Sequence, residues 1–247
     1  MLLEGERLEP LSRNCSVIVS RSHYFTTDTL LLASFSLPKP GEICADFGTG
    51  CGAIPLVWCA RGKPGRIYAL ELQEEACSQA ARSAELNRLQ EVISVHHLNL
   101  RGLSAERPGF LRGLDLVACN PPYKAAGSGA RNSGDAKRIA RHECECTLPE
   151  IAAAAAAVLR FGGRFCLCQR PERLCDVLEA MRRNGLEPKR IRFVHQRVGK
   201  EPSLFLVQGT RGGKPGLRVE PPLFIEDGDG YSREMLEIYG DYREGVT

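Results

Sequence analysis

The feature that most constrains the fold is an apolar run that ends in a glycine-rich loop and is followed by a second apolar run. Glu42–Phe47 has the length and composition of a short buried strand, and Ala53–Ala60 those of a helix. Between them lies Gly48-Thr49-Gly50-Cys51-Gly52, where alternate glycines let the backbone turn sharply and leave it open to a ligand. Strand, glycine loop and helix in this order predict one unit of an α/β fold.

Further apolar runs continue the alternation of strands and helices. Strands are predicted over 67–70, 92–98, 114–119 and 164–169, helices over 74–86, 147–159 and 171–183, and an antiparallel pair over 191–198 and 203–208. This order predicts a Rossmann-like α/β fold with a mostly parallel sheet, an antiparallel C-terminal hairpin and helices on both faces. We assign residues 1–40 to an N-terminal cap, 41–218 to the sheet domain, and 219–247 to a C-terminal extension packed on that domain.

Composition excludes several classes of protein. The chain has 247 residues, of which 43% are hydrophobic and 26% charged, so it is neither disordered nor collagen-like. The apolar runs Leu30–Leu37 and Ile151–Leu159 are shorter than the roughly 18 residues that a spanning helix needs, and the N-terminus has no secretory signal. We therefore expect a protein of the cytoplasm that makes no use of a membrane.

The eleven cysteines support the same compartment. An odd number cannot pair completely within one chain, so we expect reduced thiols. Cys144-x-Cys146 and Cys166-x-Cys168 are too closely spaced for the usual zinc ligand pair, and we expect core cysteines and no metal.

The net charge of +3 conceals an uneven distribution. Residues 160–218 contain fourteen Lys and Arg against five Asp and Glu, whereas residues 219–247 contain two against eight. The glycine-containing loop at 124–141 adds five bases against Asp135 alone. A basic stretch of this kind is typical of proteins with a polyanionic partner, although a solvated basic face would look the same in sequence.

The glycine loop indicates a nucleoside ligand that carries no phosphate. Its pattern is GxGxG, whereas a dinucleotide site has GxGxxG, and the GK[ST] of a phosphate-binding loop is missing. Glu71 ends the second strand about 20 residues later, where an acceptor for ribose hydroxyls belongs. Together they favour S-adenosylmethionine; the alternative is a structural turn and a surface glutamate.

The motif Asn120-Pro121-Pro122-Tyr123 follows the strand at 114–119 directly and indicates the chemistry. The Asn120 carboxamide oxygen and the Pro121 carbonyl are two acceptors that can take both hydrogens of a planar NH₂ group. The prolines keep the backbone rigid, and Tyr123 offers a ring on which a base can stack. Together with the glycine loop this predicts methyl transfer to an amino nitrogen by positioning, without a base that acts first.

These motifs resemble the class I S-adenosylmethionine-dependent amino-methyltransferases, and the flanking patterns are similar to the bacterial tRNA1(Val) adenine-37 N6-methyltransferase family. The flanking patterns are Tyr24-Phe25-x-x-Asp28-x-x-Leu31-Leu32, Arg138-x-x-Arg141-His142-Glu143, Arg170-Pro171-x-Arg173-Leu174, Glu187-Pro188-Lys189-Arg190 with Val194-His195, and Gly230-Tyr231-x-x-Glu234. The resemblance runs from about residue 6 to residue 239.

The resemblance implies a cofactor site. Asp46 and the loop residues Gly48, Thr49, Gly50 and Gly52 would hold the methionine part of the cofactor, and Glu71 the ribose. Asn99 stands where the family usually has an acid that accepts from the adenine amine, and its oxygen can still accept. Asp28 would close the pocket, with a purely structural cap as the alternative.

The resemblance also implies the substrate. It predicts an enzyme that methylates N6 of an adenine in tRNA near the anticodon. Apart from the resemblance, we expect a monomer, with Lys124, Arg131, Arg138 and Arg141 on the phosphates or, as the alternative, in a solvated loop. Other possible methylation targets are N5 of a glutamine in a peptide release factor and adenine in another nucleic acid. A different class of protein, an RNA-binding protein that has lost catalysis, is also possible. Roughly forty residues before the first sheet strand leave little room for the helical domain of release-factor enzymes.

Overall fold

A computed structural model describes residues 2–121 and 146–240 of the chain. Its main helices are α1 (Thr27–Phe35), α2 (Ala53–Arg61), α3 (Glu74–Leu86), α4 (Leu148–Val158), α5 (Leu174–Arg183) and α6 (Arg233–Tyr239). The strands are β1 (Arg7–Ser12), β2 (Cys15–Val19), β3 (Ile43–Phe47), β4 (Arg66–Glu71), β5 (Ile93–His97), β6 (Leu114–Cys119), β7 (Leu159–Gln169), β8 (Leu186–His195), β9 (Pro202–Arg211), β10 (Arg218–Val219), β11 (Leu223–Phe224), β12 (Glu226–Asp227) and β13 (Gly230–Tyr231).

The main sheet has the strand order β10-β8-β9-β7-β6-β3-β4-β5, with β11 also on β8. Strands β3 to β7 pair in parallel with one another, whereas β9 is antiparallel to both β7 and β8. The predicted α/β fold with a mostly parallel sheet and an antiparallel C-terminal hairpin is confirmed. Because β9 is antiparallel to both neighbours, β8 runs in the same direction as β7, and both end at the same edge of the sheet.

Two apolar cores lie on opposite faces of the sheet. Helices α1, α2, α3 and α6 cover the face that contains Ile67, and the Trp58 indole of α2 donates to the Ala33 carbonyl of α1. Helices α4 and α5 cover the face that contains Phe47 and Phe165. Alternate residues of a strand point to opposite faces of the sheet. Each short apolar strand therefore contributes side chains to both cores.

The segments at the two ends of the chain both pack on the sheet domain. The hairpin β1–β2 lies on α3, where the Ser83 hydroxyl accepts from the Ile18 N–H. At the other end β10 and β11 pair with the edge of β8, and Met235 of α6 is buried in the core under α1. The proposed division at residues 40 and 218 itself stays a prediction.

The structure differs from the predicted boundaries around α4 and β7. We expected the helix to run to Leu159 and to stop at Gly162-Gly163, but it ends at Val158, and β7 already begins at Leu159. Gly162 has a φ of 77°, and the register with β6 moves from Leu114↔Leu159 to Leu116↔Arg164. The glycines therefore form an irregularity inside a strand and do not end the helix.

The described thiols are mostly buried. Among the ten cysteines that the structure describes, all are free, and Cys175 on α5 is the exposed one. Cys144 lies outside the described residues. In the same part of the chain no helix has the length and apolarity to cross a membrane, and no group of three or more potential ligands is placed to hold a metal ion.

Candidate active site

The two sequence motifs meet because their strands are neighbours. β3 leads into the glycine loop, β6 leads into Asn120, and the two strands pair in parallel with Phe47 opposite Cys119. From β3 the chain continues to β4 on one side, while β6 lies on the other. Ligands of open α/β sheets bind at such a reversal of strand order, beyond the carboxyl ends of the strands. We call this edge the carboxyl edge.

The glycine loop has the open backbone that its sequence predicts. Gly48, Gly50 and Gly52 have φ angles of 71°, 55° and 86°, which other residues rarely adopt. A Cβ at Gly48 or Gly50 would meet nothing within 4 Å, so these glycines serve the conformation and leave free space above the loop. A Cβ at Gly52 would lie 3.2 Å from the Ala80 Cβ, so this glycine also allows close packing against α3.

The Glu71 carboxylate anchors the loop to the end of β4. Its Oε2 accepts from the Gly50 N–H at 2.9 Å, and its Oε1 accepts from the Leu72 and Gln73 N–H groups at 2.8 and 3.0 Å. An ionised carboxylate offers about four acceptor positions, so one remains in addition to these three. The predicted ribose contact therefore has an acceptor, and Glu71 has a structural role that the sequence did not indicate.

Asp46 is the buried charge of the site. Its side chain is fully buried at the end of β3, and neither carboxylate oxygen has a hydrogen-bond partner among the described residues; the same holds for the Thr49 hydroxyl. Burial raises the pKa of Asp46 to about 7, with the nearby Thr49 hydroxyl opposing the shift and Glu71 adding to it. Unpartnered buried polar atoms beside an open loop indicate a ligand that supplies the missing hydrogen bonds.

The Asn120 carboxamide is held from two sides. Its Nδ2 donates to the Thr29 hydroxyl of α1 at 3.3 Å, and its Oδ1 accepts from the Cys168 thiol of β7 at 3.1 Å. Pro121 is buried next to Asn120, whereas Pro122 and Tyr123 lie outside the described residues.

The first turn of α1 lies over this end of the sheet. Asp28 approaches Arg170 at 3.7 Å, and Arg170 donates to the Ser203 carbonyl at 2.7 Å. One residue earlier, the Thr27 hydroxyl lies 2.9 Å from the Tyr239 hydroxyl at the end of α6. Asp28 thus lies beside β7 and β9, and its predicted contact with the cofactor stays a prediction.

Asn99 is exposed two residues after β5, at the same edge. Its Oδ1 accepts from the Arg101 N–H at 2.9 Å and so closes a local turn. The Cys146 thiol donates weakly to the same oxygen at 3.9 Å, so an adenine amine would have to replace that contact. The cofactor role of Asn99 stays a prediction. The substrate candidates Lys124, Arg131, Arg138 and Arg141 all lie outside the described residues.

Sequence reasoning missed the two residues that orient Asn120. Thr29 precedes the first sheet strand by fourteen positions and belongs to no motif of the loop or of Asn120-Pro121. Cys168 was expected as one of several core cysteines. No pattern in the sequence marks Cys168. In the structure Leu167 of β7 pairs with Cys119, and this register places the next residue, Cys168, beside Asn120.

The basic stretch at 160–218 is largely paired within the fold. Nine of its fourteen cations lie within 4.0 Å of a carboxylate among the described residues: Arg160, Arg164, Arg170, Arg173, Arg182, Arg183, Arg190, Arg192 and Arg218. Three of these reach the acidic tail, since Arg190 and Arg218 pair with Glu220 and Arg192 with Glu234. Most of the surplus is therefore not a free basic face.

The residues at the carboxyl edge fit S-adenosylmethionine. The buried Asp46 carboxylate suits an ammonium group, the spare acceptor of Glu71 suits a ribose hydroxyl, and the glycine loop leaves room for both. Asn120 lies one strand away, with an acceptor that an amino group can use.

Comparison with known proteins agrees with this arrangement. The model of the methyltransferase small domain family matches residues 17–181. A tRNA1(Val) (adenine(37)-N6)-methyltransferase of Tolumonas auensis is 27% identical over 87% of this chain and 88% of that protein. The protein of the same name from Photorhabdus laumondii is 29% identical over 87% and 86%.

Solved structures share the fold. A predicted O-methyltransferase from Agrobacterium tumefaciens superposes with a TM-score of 0.66 at 21% identity, covering 87% of this chain and 96% of that one. A ribosomal protein L11 methylase from Lactobacillus delbrueckii superposes with a TM-score of 0.56 at 15% identity, covering 83% and 99%. At these identities the likeness concerns the fold alone.

Proposed function

Because the chain belongs to the methyltransferase small domain family, we propose that it transfers a methyl group from S-adenosylmethionine to N6 of an adenine in tRNA, next to the anticodon. The observation that carries the proposal is the Asn120 carboxamide, fixed by Thr29 and Cys168 one strand away from the glycine loop. The names of the relatives from Tolumonas and Photorhabdus supply the nucleoside and its position.

The chemistry follows from the acceptors at the end of β6. The oxygens of the Asn120 carboxamide and of the Pro121 carbonyl accept the two hydrogens of the exocyclic amine, which turns the nitrogen lone pair toward the glycine loop. S-adenosylmethionine supplies an electrophilic methyl group on a sulfonium. Asp46, Thr49, Gly50 and Glu71 hold the cofactor, so that the rate comes from proximity and orientation.

A loop adenine suits a site of this kind. Bases near an anticodon are unpaired, so turning one of them out toward Asn120 costs little. A tRNA substrate would place the enzyme in the cytoplasm. The basic residues predicted between positions 124 and 141 remain candidates for phosphate contacts.

The test supplies the purified protein with methyl-labelled cofactor and either unmodified total tRNA or a peptide release factor. We expect label in tRNA, and N6-methyladenosine after digestion to nucleosides; mass spectrometry of nuclease fragments then locates the position. Label in the release factor instead of tRNA would contradict the proposal, since a glutamine amide is also planar and carries an NH₂ group.

A further inference from the structure

Among the described residues, three cations of the basic stretch, Arg197, Lys200 and Lys214, form no ion pair and no side-chain hydrogen bond, and the first two lie in one turn. Arg197 and Lys200 are both exposed. Nine other cations of the stretch have carboxylate partners, whereas Glu201 and Glu226 lie beside Arg197 and Lys200 without forming an ion pair with either of them. Unpaired exposed cations are the ones available to a polyanion.

Arg197 and Lys200 lie in the turn that joins β8 and β9, residues 196–201, which we call the β8–β9 turn. β8 runs parallel to β7, so this turn lies at the carboxyl edge together with Asn120. The strand order places it two to three strands from β6, about 10–14 Å at the usual spacing. Arg170 lies between the β8–β9 turn and the site at Asn120, since it donates to the Ser203 carbonyl of β9 and approaches Asp28 of α1.

The turn has a fixed shape. The Lys200 N–H donates to the Arg197 carbonyl at 3.1 Å, and Gly199 between them has a φ of 81°. His195 Nδ1 lies 2.7 Å from the Lys200 carbonyl, and Gln196 Nε2 donates to Glu226 at 2.6 Å. A turn held in this way loses little conformational entropy when it binds.

From this placement we propose that the β8–β9 turn binds the phosphate backbone of the RNA whose adenine enters the site at Asn120. The proposal rests on the proposed function and adds the surface that holds the substrate. Arg197 and Lys200 contact phosphates, and Val198, 77% exposed between them, packs against a sugar. Such contacts set register and affinity without reading the base sequence.

The test compares two double variants that remove equal charge from opposite edges of the sheet. R197Q/K200Q removes the proposed contacts. R112Q/K214Q removes two exposed cations that lie at the amino edge, since Arg112 precedes β6 and Lys214 follows β9. Binding of unmodified tRNA is measured by fluorescence anisotropy over a series of salt concentrations, together with the Kd for S-adenosylmethionine and the Tm.

We expect R197Q/K200Q to raise the Kd for tRNA on the order of tenfold at low salt, because each exposed ion pair contributes little on its own. The slope of log K against log salt should fall by about 1.4, the counterions of two contacts to a single strand. R112Q/K214Q should bind tRNA like the wild-type protein, and both variants should keep its Tm and its cofactor affinity.

Equal weakening by both variants would overturn the proposal, since it would reflect net charge alone. The proposal would also be overturned if R197Q/K200Q bound tRNA with wild-type affinity. This applies equally if the variant lost binding to vesicles of anionic lipid, because the turn would then bind a lipid surface and not RNA. Methylation of tRNA by the wild-type protein tells the two failures apart. If the wild-type protein methylates tRNA, a negative result concerns the turn; if it neither binds nor methylates tRNA, the proposed function fails too.

Discussion

The Asp46 carboxyl couples the stability of the protein to pH. Its pKa is about 7 in the folded chain, against 3.8 for an unperturbed group, because burial disfavours its charged form. Between these two values the folded state binds more protons than the unfolded state. The contribution of Asp46 to the free energy of unfolding therefore falls as pH rises through this interval, and it levels off above about 7.

Asp46→Asn removes this dependence. At pH 8, where the wild-type protein buries an ionised carboxylate, we expect the variant to be more stable than the wild type. At pH 5 the difference should shrink, because the wild-type carboxyl is then protonated in the fold. Urea unfolding at pH 5, 6, 7 and 8 measures it, and a difference in unfolding free energy that is independent of pH would show that Asp46 does not titrate in this range.

The two asparagines at the carboxyl edge should separate catalysis from cofactor binding. Asn120→Ala removes an acceptor for the amine, so the single-turnover rate should fall about 10²–10³-fold while the Kd for S-adenosylmethionine stays near the wild-type value. Asn99→Ala should weaken cofactor affinity instead. If Asn120→Ala loses cofactor binding, Asn120 does not hold the amine.

At the scale of single residues, the sequence predicted which residues lie together at the carboxyl edge better than it predicted what each one touches. Asp46 and Glu71 lie at strand ends, and Gly50 and Asn120 follow strands. Parallel strands bring their ends together, so the proximity of these residues was foreseeable. The bond from Gly50 to Glu71 was not, because it depends on how the loop folds over β4. No local sequence pattern indicates a hydrogen bond between residues that are far apart in the chain.

Among the elements, α1 contributes most to the site without belonging to the sheet. Its first turn places the Thr29 hydroxyl on Asn120 Nδ2, and the same oxygen accepts from the Thr26 N–H at 3.3 Å. The start of the helix and the orientation of the carboxamide therefore depend on one hydroxyl.

Thr29→Val keeps the shape of the side chain and removes that acceptor. One lost hydrogen bond is worth about 0.5–1.5 kcal/mol, so we expect the methyl-transfer rate to fall up to about tenfold with little change in cofactor Kd. Thr29→Ser keeps the hydroxyl and should retain most of the rate. If the serine variant is as slow as the valine variant, the methyl group matters and the hydrogen bond does not.

Most elements could be predicted because each is a short apolar run between glycines, prolines or charges. α3 was placed at its observed bounds, since Ala76, Ala80 and Ala84 recur with helical spacing and all three are buried. The start of β7 was not predicted, because the glycines between Leu159 and Gly163 are compatible both with the end of a helix and with an irregularity inside a strand. Only pairing with β6 decides between the two.

For the whole molecule, the tail contributes to the core. Met235 of α6 is fully buried, whereas its neighbour Leu236 is 50% exposed. Met235→Ala should lower the free energy of unfolding by about 2–5 kcal/mol in a single cooperative transition. Leu236→Ala should change it by less than about 0.5 kcal/mol. Two separate transitions, or equal effects of both variants, would contradict a C-terminal extension that folds with the sheet domain.

The charge asymmetry of the sequence also takes its meaning from the whole fold. The basic stretch and the acidic tail appear as separate blocks in the sequence, yet β10 pairs with β8 and the helix α6 lies nearby. Arg190 meets Glu220 and Arg192 meets Glu234 as a result. Composition alone could not distinguish a surface for a polyanion from charges that complement each other within one chain.

The hydrogen bond between Thr27 and Tyr239 spans 212 residues, and this has a consequence for synthesis on the ribosome. The turn of α1 that holds Asn120 emerges early, whereas the helix that supports it emerges among the last residues described here. A nascent chain can complete its sheet before Tyr239 has left the exit tunnel, but its α1 turn then lacks this partner. Methyl-transfer competence should accordingly be acquired only once Tyr239 has emerged, after most of the core has formed.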